Sequence, residues 1–243
     1  MPTRQIIQTC KDFVLELLFP SFCLGCNTPE TFLCTRCLEG IPAAEPQCIA
    51  CGDRSLSGAI CARCRQREKL VLKGVTFATS YQDDLVRDVI GHLKYYRVKS
   101  LAQPLGELVS RQFARVEGHI LKNREHARML AMPLHKYRKR ERGFNQSELL
   151  AQTISQNLAI PLLSERTLIR TKPTPPQLSM QSRVARLENL RDAFEARDTD
   201  EIAGKTIVLV DDVSTTGATL NEAARALKAA GAREVWGLVV AHG

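Results

Sequence analysis

The sequence has no long apolar run and no recognisable secretion signal. None of its hydrophobic stretches approaches the roughly 20 residues that a membrane-spanning helix requires. Residues 1–19 have the periodicity of an amphipathic helix, but Asp12 and Glu16 interrupt it and no small-residue cleavage site follows. The sequence therefore predicts a cytoplasmic protein without a transmembrane segment. We expect the N-terminal helix to pack on the body of the protein, with docking on a partner or at the inner face of the membrane as the alternative.

Large apolar residues are scarce between residues 20 and 68, where cysteines are concentrated. The stretch is too poor in such side chains to build a hydrophobic core of its own. Its cysteines form the C-x-x-C pairs Cys23/Cys26, Cys34/Cys37, Cys48/Cys51 and Cys61/Cys64. In a chain without a secretion signal, such pairs favour metal binding over disulfides. Cys10 lies outside the pairs and is expected on the apolar face of the N-terminal helix.

The paired thiolates suffice for two tetrahedral metal sites, and zinc is the metal that this ligand set favours. Sequential pairing places Cys23, Cys26, Cys34 and Cys37 on one ion and Cys48, Cys51, Cys61 and Cys64 on the other. A crossed pairing of alternate C-x-x-C units remains open. Because four thiolates leave no open position for a substrate, we expect the zinc to be structural. Residues 20–68 are thus predicted to be a double zinc-ribbon module that folds with metal, while the rest of the chain is stabilised separately.

Beyond residue 68, strands alternate with helices. Strands are predicted at 70–81, 128–132, 206–210 and 234–241. Helices are predicted at 83–93, at 101–116, from 145 or 147 to about 158, at 183–192, and after residue 219 up to a glycine cap at Gly231. Loops are expected at 134–143, which is basic, and at 170–181, which is rich in proline. This order predicts an α/β domain at 69–243 with a mostly parallel sheet, helices on both faces, and ligands at the carboxyl ends of the strands.

The segment 206–220 carries the clearest chemical signal. Asp211 and Asp212 directly follow a predicted strand, and the loop after them consists of Ser214, Thr215, Thr216, Gly217, Ala218 and Thr219. The amides of such a loop, placed at a helix N-terminus, can hold a phosphate dianion. The two acids need a different partner, such as ribose hydroxyls or a magnesium-bound water. Phosphoribosyl pyrophosphate combines all of these groups, whereas the alternative is an ordinary strand-to-helix turn with capping side chains.

Positive charge is unevenly distributed along the chain. The net charge is +8, and Lys and Arg far outnumber acids between residues 87 and 142. The densest run contains Lys136, Arg138, Lys139, Arg140 and Arg142. A basic surface of this kind suits a polyanion, either nucleic acid or the diphosphate of the ligand above. A solvated face is the alternative.

The order of these motifs resembles that of a known family. Four cysteine pairs, the sequence Arg142-Gly143-Phe144-Asn145-Gln146, a Thr/Pro/Gln segment and the 206–220 motif are similar to the ComF/GntX family of competence and DNA-utilisation proteins. The 206–220 motif itself resembles the signature of type I phosphoribosyltransferases. The resemblance implies a zinc ribbon joined to a phosphoribosyltransferase-like domain that acts in the uptake or utilisation of extracellular DNA.

The resemblance also implies roles for individual residues. Asp211 and Asp212 would bind the ribose hydroxyls, and the loop 214–219 would bind the 5-phosphate. The residues after the first core strand would meet the diphosphate, which gives roles to His135, Lys136, Arg138, Arg140 and Arg142. His135 as a general acid is a further alternative. Residues 170–183 match the position of a hood that closes over the reaction centre, with Gln177, Arg183 and Asn189 as candidate contacts.

Three functions compete at this point. The first is a phosphoribosyl-pyrophosphate-binding protein that handles single-stranded DNA. The second is a catalytically active phosphoribosyltransferase that uses magnesium and an unidentified base or nucleic-acid acceptor. The third is a partner-docking zinc ribbon with a non-catalytic ligand domain. The intact motif disfavours the third, and no segment is assignable to recognition of a base, which disfavours the second. The sequence therefore favours the first and leaves catalysis undecided.

Overall fold

The structure is a computed structural model that describes residues 21–172 and 192–243. Several expectations lie outside the described residues. They are the helix at 1–19, the placement of Cys10, the helix at 183–192, the contacts of Gln177, Arg183 and Asn189, and most of the hood at 170–183. No helix in the described parts of the chain is long and apolar enough to cross a membrane.

The described residues contain six strands, which form two sheets. They are β1 Gly74–Ser80, β2 Ala127–Ala131, β3 Leu168–Arg170, β4 Phe194–Ala196, β5 Thr206–Ser214 and β6 Glu234–His242. The main sheet has the order β1-β6-β5-β2, and all of its neighbouring strands are parallel. β3 and β4 form a small antiparallel pair that the sequence did not indicate. The parallel sheet confirms the predicted fold class.

The helices of the described residues vary from one turn to five. They are α1 Thr35–Gly40, α2 Ala62–Glu68, α3 Asp84–Lys94, α4 Ala102–Ile120, α5 Lys136–Arg142, α6 Gln146–Leu158, α7 Thr199–Ile202 and α8 Ala218–Ala229. Local signals explain several ends. Asp83 and Asn145 accept hydrogen bonds from amides in the first turns of α3 and α6. After α8 the chain turns at Gly231, whose φ of +91° suits the predicted glycine cap.

Alternate residues of β5 face two separate hydrophobic cores. Val208 and Val210 pack with side chains of α3, α4 and α6, whereas Ile207 and Leu209 pack with α8. Because both faces of the strand are covered, its sequence is a continuous apolar run and does not alternate with polar residues. The arrangement confirms helices on both faces of the sheet.

Each half of the cysteine-rich segment joins a different one of these cores. Leu33 and Leu38 from the first half belong to the core of α3, α4 and α6. Ile49 and Ile60 from the second half belong to the core of α8. The two ribbons therefore pack on opposite faces of the sheet. This differs from the expectation that the ribbons and the rest of the chain are stabilised separately, since the ribbons complete both cores.

The basic segment expected as a loop at 134–143 is a helix, α5. Between Pro133 and Gly143 it contains mainly Lys, Arg and Glu, which favour helices, and no β-branched residue. His135 caps its start, and Gly143, with a φ of +79°, ends it. β5 also runs four residues beyond the predicted 206–210, because its backbone stays paired with β6 through Ser214 and His242. Asp211 and Asp212 therefore lie within the strand.

Candidate functional site

The candidate site lies at the carboxyl end of β5, where the strand leads into α8. Residues 215–217 form the connecting loop, and Ala218 and Thr219 begin the helix. Gly217 occupies the cap position with a φ of +73°, a conformation that favours glycine. The first amides of a helix have no partner within the helix, so this turn presents hydrogen-bond donors. The strand, loop and helix predicted for 206–220 are thus all present.

β6 supports the loop from one side. The Nε2 atom of His242 lies 3.0 Å from the carbonyl oxygen of Thr215, and the amide of Gly243 donates to the carbonyl of Ser214 over 3.1 Å. The imidazole of His242 also stacks on Phe77, with ring centroids 4.8 Å apart. These contacts attach the loop to two strands of the sheet and limit its freedom before any ligand arrives.

Asp211 is held by donors from α6 and from its own strand. The hydroxyl of Ser147 donates to Oδ1 over 2.8 Å, and the amide of Asp212 donates to the same oxygen over 2.9 Å. Burial, and next the charge of Asp212, raise the pKa of Asp211 to about 7. Its carboxyl group therefore titrates near neutral pH.

Asp212 is paired with a lysine that the sequence analysis missed. The Nζ atom of Lys94, at the end of α3, lies 2.7 Å from Oδ1 of Asp212, and the two side chains are only 15% and 6% exposed. Burial by itself would lower the pKa of Lys94, but the charge and hydrogen bond of Asp212 raise it overall. Lys94 lies four residues after the buried Ile90 and eight after the buried Val86. A lysine on the apolar face of a helix was the signal that could have identified it.

The second carboxylate oxygen of Asp212 is unpaired among the described residues. Oδ2 is buried and has no hydrogen-bond partner among the described residues. Buried carboxylate oxygens are normally satisfied, so this atom points to a donor outside the described residues. A sugar hydroxyl and a metal-bound water are both donors of the required kind.

His135 is part of the local structure of α5. Its Nδ1 atom accepts a hydrogen bond from the amide of Tyr137 over 3.4 Å, and the side chain is buried. Burial lowers the pKa of His135, and the charges of Arg170, Lys136 and Arg138 act in the same direction. The lowered pKa favours the neutral ring, and the hydrogen bond gives the side chain a capping role; the general-acid role stays a prediction.

Arg170 is a second residue near the acids that the motifs did not single out. It ends β3, and its guanidinium carbon lies 5.5 Å from the ring centroid of Phe194. Burial and then the charge of Arg138 lower the pKa of Arg170, while the charge of Asp211 opposes them. Arg170 is thus coupled electrostatically to Arg138 on α5 and to Asp211 on β5.

The cations of α5 differ in how far the chain itself uses them. Lys139 contacts Glu148 over 3.1 Å and also pairs with Glu165. Arg142 donates to Oε1 of Gln146 over 2.9 Å. By contrast, Lys136 and Arg140 are exposed and Arg138 is partly buried. The structure thus separates a run that looks uniform in sequence into structural cations and available ones.

The eight paired cysteines form two clusters. One consists of Cys23, Cys26, Cys34 and Cys37, and the other of Cys48, Cys51, Cys61 and Cys64. Within each cluster the sulfur atoms lie within 4.8 Å of one another. The Sγ atoms of Cys26 and Cys34 are 3.6 Å apart, close to the roughly 3.8 Å edge of a tetrahedron with zinc–sulfur bonds of about 2.3 Å. The geometry supports the sequential pairing over the crossed one.

Backbone amides also point at these sulfur atoms. The amide of Cys34 donates to Sγ of Cys23 over 3.3 Å, and the amide of Cys64 donates to Sγ of Cys61 over 3.5 Å. Hydrogen bonds of this kind stabilise thiolates, the form that binds metal. The residues therefore fit two zinc ions that hold the ribbons together.

Comparisons with known proteins agree with this architecture. Residues 14–65 match the model of a double zinc ribbon domain, and residues 123–242 match that of a phosphoribosyl transferase domain. The chain is 33% identical over 230 residues to the DNA utilization protein YhgH of Escherichia coli K12, an alignment that covers 90% of this chain and 97% of that protein. The chain belongs to the ComF family.

Two more members of the family illustrate its range. Competence protein F of Haemophilus influenzae is 40% identical over 113 residues, which cover 45% of this chain and 48% of that protein. Competence protein ComFC of Bacillus subtilis is 26% identical over 205 residues, 82% of this chain and 79% of that protein. The resemblance noted from the sequence is thus confirmed across both the ribbons and the sheet domain.

Proposed function

We propose that this ComF-family protein binds phosphoribosyl pyrophosphate with magnesium at the end of β5 and uses that ligand in the utilisation of extracellular DNA. The observation that carries the proposal is the orphaned Oδ2 atom of Asp212 beside an anion-binding turn. Asp211 and Asp212 accept hydrogen bonds from the ribose hydroxyls, and residues 214–219 bind the 5-phosphate through backbone amides and hydroxyl groups. The relatives are named DNA utilization and competence proteins, which supports the proposed role in the use of extracellular DNA.

Magnesium would enter with the ligand. Its preferred ligands are oxygen atoms and it usually keeps several waters, so it binds the diphosphate and reaches the acids through water. Arg138, Arg140 and Lys136 lie on the helix after β2 and compensate the diphosphate charge. Arg170, whose pKa responds to the charges of both Arg138 and Asp211, is an additional cation for the same group.

The proposal is tested by calorimetric titration with phosphoribosyl pyrophosphate, ribose 5-phosphate and diphosphate, each with and without magnesium. Because the site combines a phosphate turn, an acidic pair and a basic helix, the complete ligand should bind more tightly than either fragment. If diphosphate alone bound as tightly as the complete ligand, the protein would have only a basic surface, and the proposal would be wrong.

Catalysis is the second candidate, because a bound phosphoribosyl pyrophosphate can lose diphosphate to an acceptor. The test is to incubate the protein with phosphoribosyl pyrophosphate, magnesium and a panel of bases, and to measure the release of diphosphate. Turnover with one base identifies a phosphoribosyltransferase. Binding without turnover with any base leaves the ligand as an effector of DNA handling.

Single-stranded DNA is the partner that the surface beside the site supports. Tyr95, Tyr96 and Tyr137 are 71%, 72% and 74% exposed. The guanidinium carbon of Arg142 lies 5.4 Å from the ring centroid of Tyr95, and His92 stacks on Tyr96. Exposed aromatic rings next to cations are typical of proteins that bind single strands by stacking and phosphate contact.

Fluorescence anisotropy with a labelled oligonucleotide tests this surface. Tyr96→Ala should lower affinity, since stacking of one base is worth about 1–3 kcal/mol, while Tyr96→Phe should keep it. Phe22→Ala, at a 47% exposed ring on the first ribbon, is the matched control and should have no effect. Equal affinity of the wild type and Tyr96→Ala would exclude base stacking on this ring.

A further inference from the structure

The second zinc ribbon lies against the candidate phosphate-binding turn. A Cβ atom placed on Gly217 would lie 3.4 Å from Cγ2 of Ile49 and 3.5 Å from its Cδ1. Ile49 is buried, so its side chain closes one side of the loop. The glycine supplies the positive φ of the turn, and Ile49 lies at van der Waals range of the position that a Cβ would take there.

The position of Ile49 is set by the metal-binding turn that contains it. Ile49 follows Cys48 and lies inside the Cys48–Cys51 pair. The amide of Gly52 donates to the carbonyl of Cys48 over 2.8 Å, and the amide of Cys48 donates to the carbonyl of Asp53 over 2.8 Å. A zinc ion bound by Cys48 and Cys51 would close this turn and hold Ile49 against Gly217.

The contact continues into the first turn of α8. Oδ1 of the buried Asn221 accepts hydrogen bonds from the amides of Val71 and Leu72, over 2.9 and 3.1 Å, just after the second ribbon. Leu220 packs in the same core as Ile60 of that ribbon. Ribbon, loop and helix start therefore form one packed unit.

The first ribbon offers an internal comparison. Leu24 occupies the position in the Cys23–Cys26 pair that Ile49 occupies in the Cys48–Cys51 pair. Leu24 packs on the core of α3, α4 and α6, on the other face of the sheet from α8. The two ribbons share their metal chemistry and differ in their neighbours.

We infer that the second zinc ribbon, through Ile49, holds the turn 214–219 in its phosphate-binding conformation, so that metal in the second cysteine cluster and not the first controls affinity for phosphoribosyl pyrophosphate. Ile49 is a positioning residue that touches no ligand. The inference rests on the proposed function for its ligand, while the contact between ribbon and turn stands independently.

Two pairs of variants test this inference. Ile49→Ala is compared with Leu24→Ala, and Cys51→Ser with Cys26→Ser, with zinc per chain measured for each. Ile49→Ala should keep two zinc ions per chain and lose at least about fivefold in affinity for the ligand, the low end of coupling between distinct sites. Ile49→Val should restore most of that affinity, and Leu24→Ala should match the wild type.

Hydrogen exchange provides a readout that needs no ligand. Amides of residues 214–221 should exchange faster in Ile49→Ala and Cys51→Ser than in Leu24→Ala and Cys26→Ser. Equal exchange and equal affinity in the two members of each pair would overturn the inference. If the wild type binds no phosphoribosyl pyrophosphate, the proposed function fails, and the exchange comparison still decides whether the ribbon holds the turn.

Discussion

The acidic and basic sides of the candidate site differ in how far their charges are compensated within the chain. Asp211 and Asp212 are held by Ser147 and Lys94 in a buried environment. On the basic side, Lys136 and Arg140 extend into solvent from α5. The acidic side is therefore preorganised for a ligand of fixed geometry, whereas the basic side suits a polyanion of variable shape. This difference is the basis for the proposal that the ribose and 5-phosphate bind at the end of β5, while the surface around α5 binds the diphosphate and nucleic acid.

The strongest test of this difference concerns lysines on the two sides. Lys94→Met leaves the carboxylate of Asp212 buried without its partner, and breaking such a pair typically costs about 3–5 kcal/mol of unfolding free energy. Lys139→Met breaks the more exposed contacts with Glu148 and Glu165 and should cost about 1 kcal/mol or less. Urea unfolding at pH 7.5 measures both variants. Equal losses of stability would show that the acidic side is not the preorganised one.

Ligand affinity should depend most on the acids. Asp211→Asn combined with Asp212→Asn should weaken binding of phosphoribosyl pyrophosphate, because each charge-assisted hydrogen bond is worth roughly 1.5–3 kcal/mol. Asp88→Asn, at an exposed acid on α3, is the control and should bind like the wild type. Calorimetry compares them, and unchanged affinity in the double variant would exclude the acids from the binding site.

Ionisation of Asp211 should make both the stability of the protein and its affinity for the ligand depend on pH, in opposite directions. Its pKa is raised from 3.8 to about 7, so its stabilising contribution is complete below pH 3.8 and is lost as the pH rises through 7. Binding needs the ionised carboxylate, so affinity should fall about tenfold for each pH unit below 7. Above pH 7, Asp211→Asn should be more stable than the wild type.

Denaturant unfolding and calorimetry between pH 5 and pH 8 measure the two effects. Asp211→Asn should flatten the pH profiles of stability and of ligand affinity near pH 7. A binding profile in the variant as steep as that of the wild type would assign the titration to another group.

The smallest expected effect belongs to the basic side. Binding of single-stranded DNA should weaken with salt, and Lys136→Ala with Arg140→Ala should reduce the slope by about 0.7 for each phosphate that the variant no longer neutralises. Lys139→Ala should leave the slope unchanged, because that cation is already paired. Anisotropy titrations at several salt concentrations decide between them. If Lys139→Ala changed the salt slope and the double variant at Lys136 and Arg140 did not, the division of α5 into structural and available cations would be wrong.

Features encoded by neighbouring residues were predictable from the sequence. The unit of β5, loop and α8 follows from a buried strand and a glycine-containing turn, and spacing predicts two four-cysteine sites, although the choice of sequential over crossed pairing needed the structure. The partners of the acids were not predictable in this way. Lys94 and Ser147 are separated from β5 by long stretches of chain, and only the packing of α3 and α6 on the sheet brings them to Asp211 and Asp212. The contact of Ile49 with Gly217 depends on tertiary packing for the same reason.

The most direct test of the proposed ligand site is a crystal structure of the protein with phosphoribosyl pyrophosphate and magnesium. We expect the ribose hydroxyls at Asp211 and Asp212, with a donor on the free Oδ2 atom of Asp212, and the 5-phosphate on the turn 214–219 beside Gly217. Ligand density elsewhere, with the pair of Lys94 and Asp212 unchanged and the turn empty, would contradict this assignment.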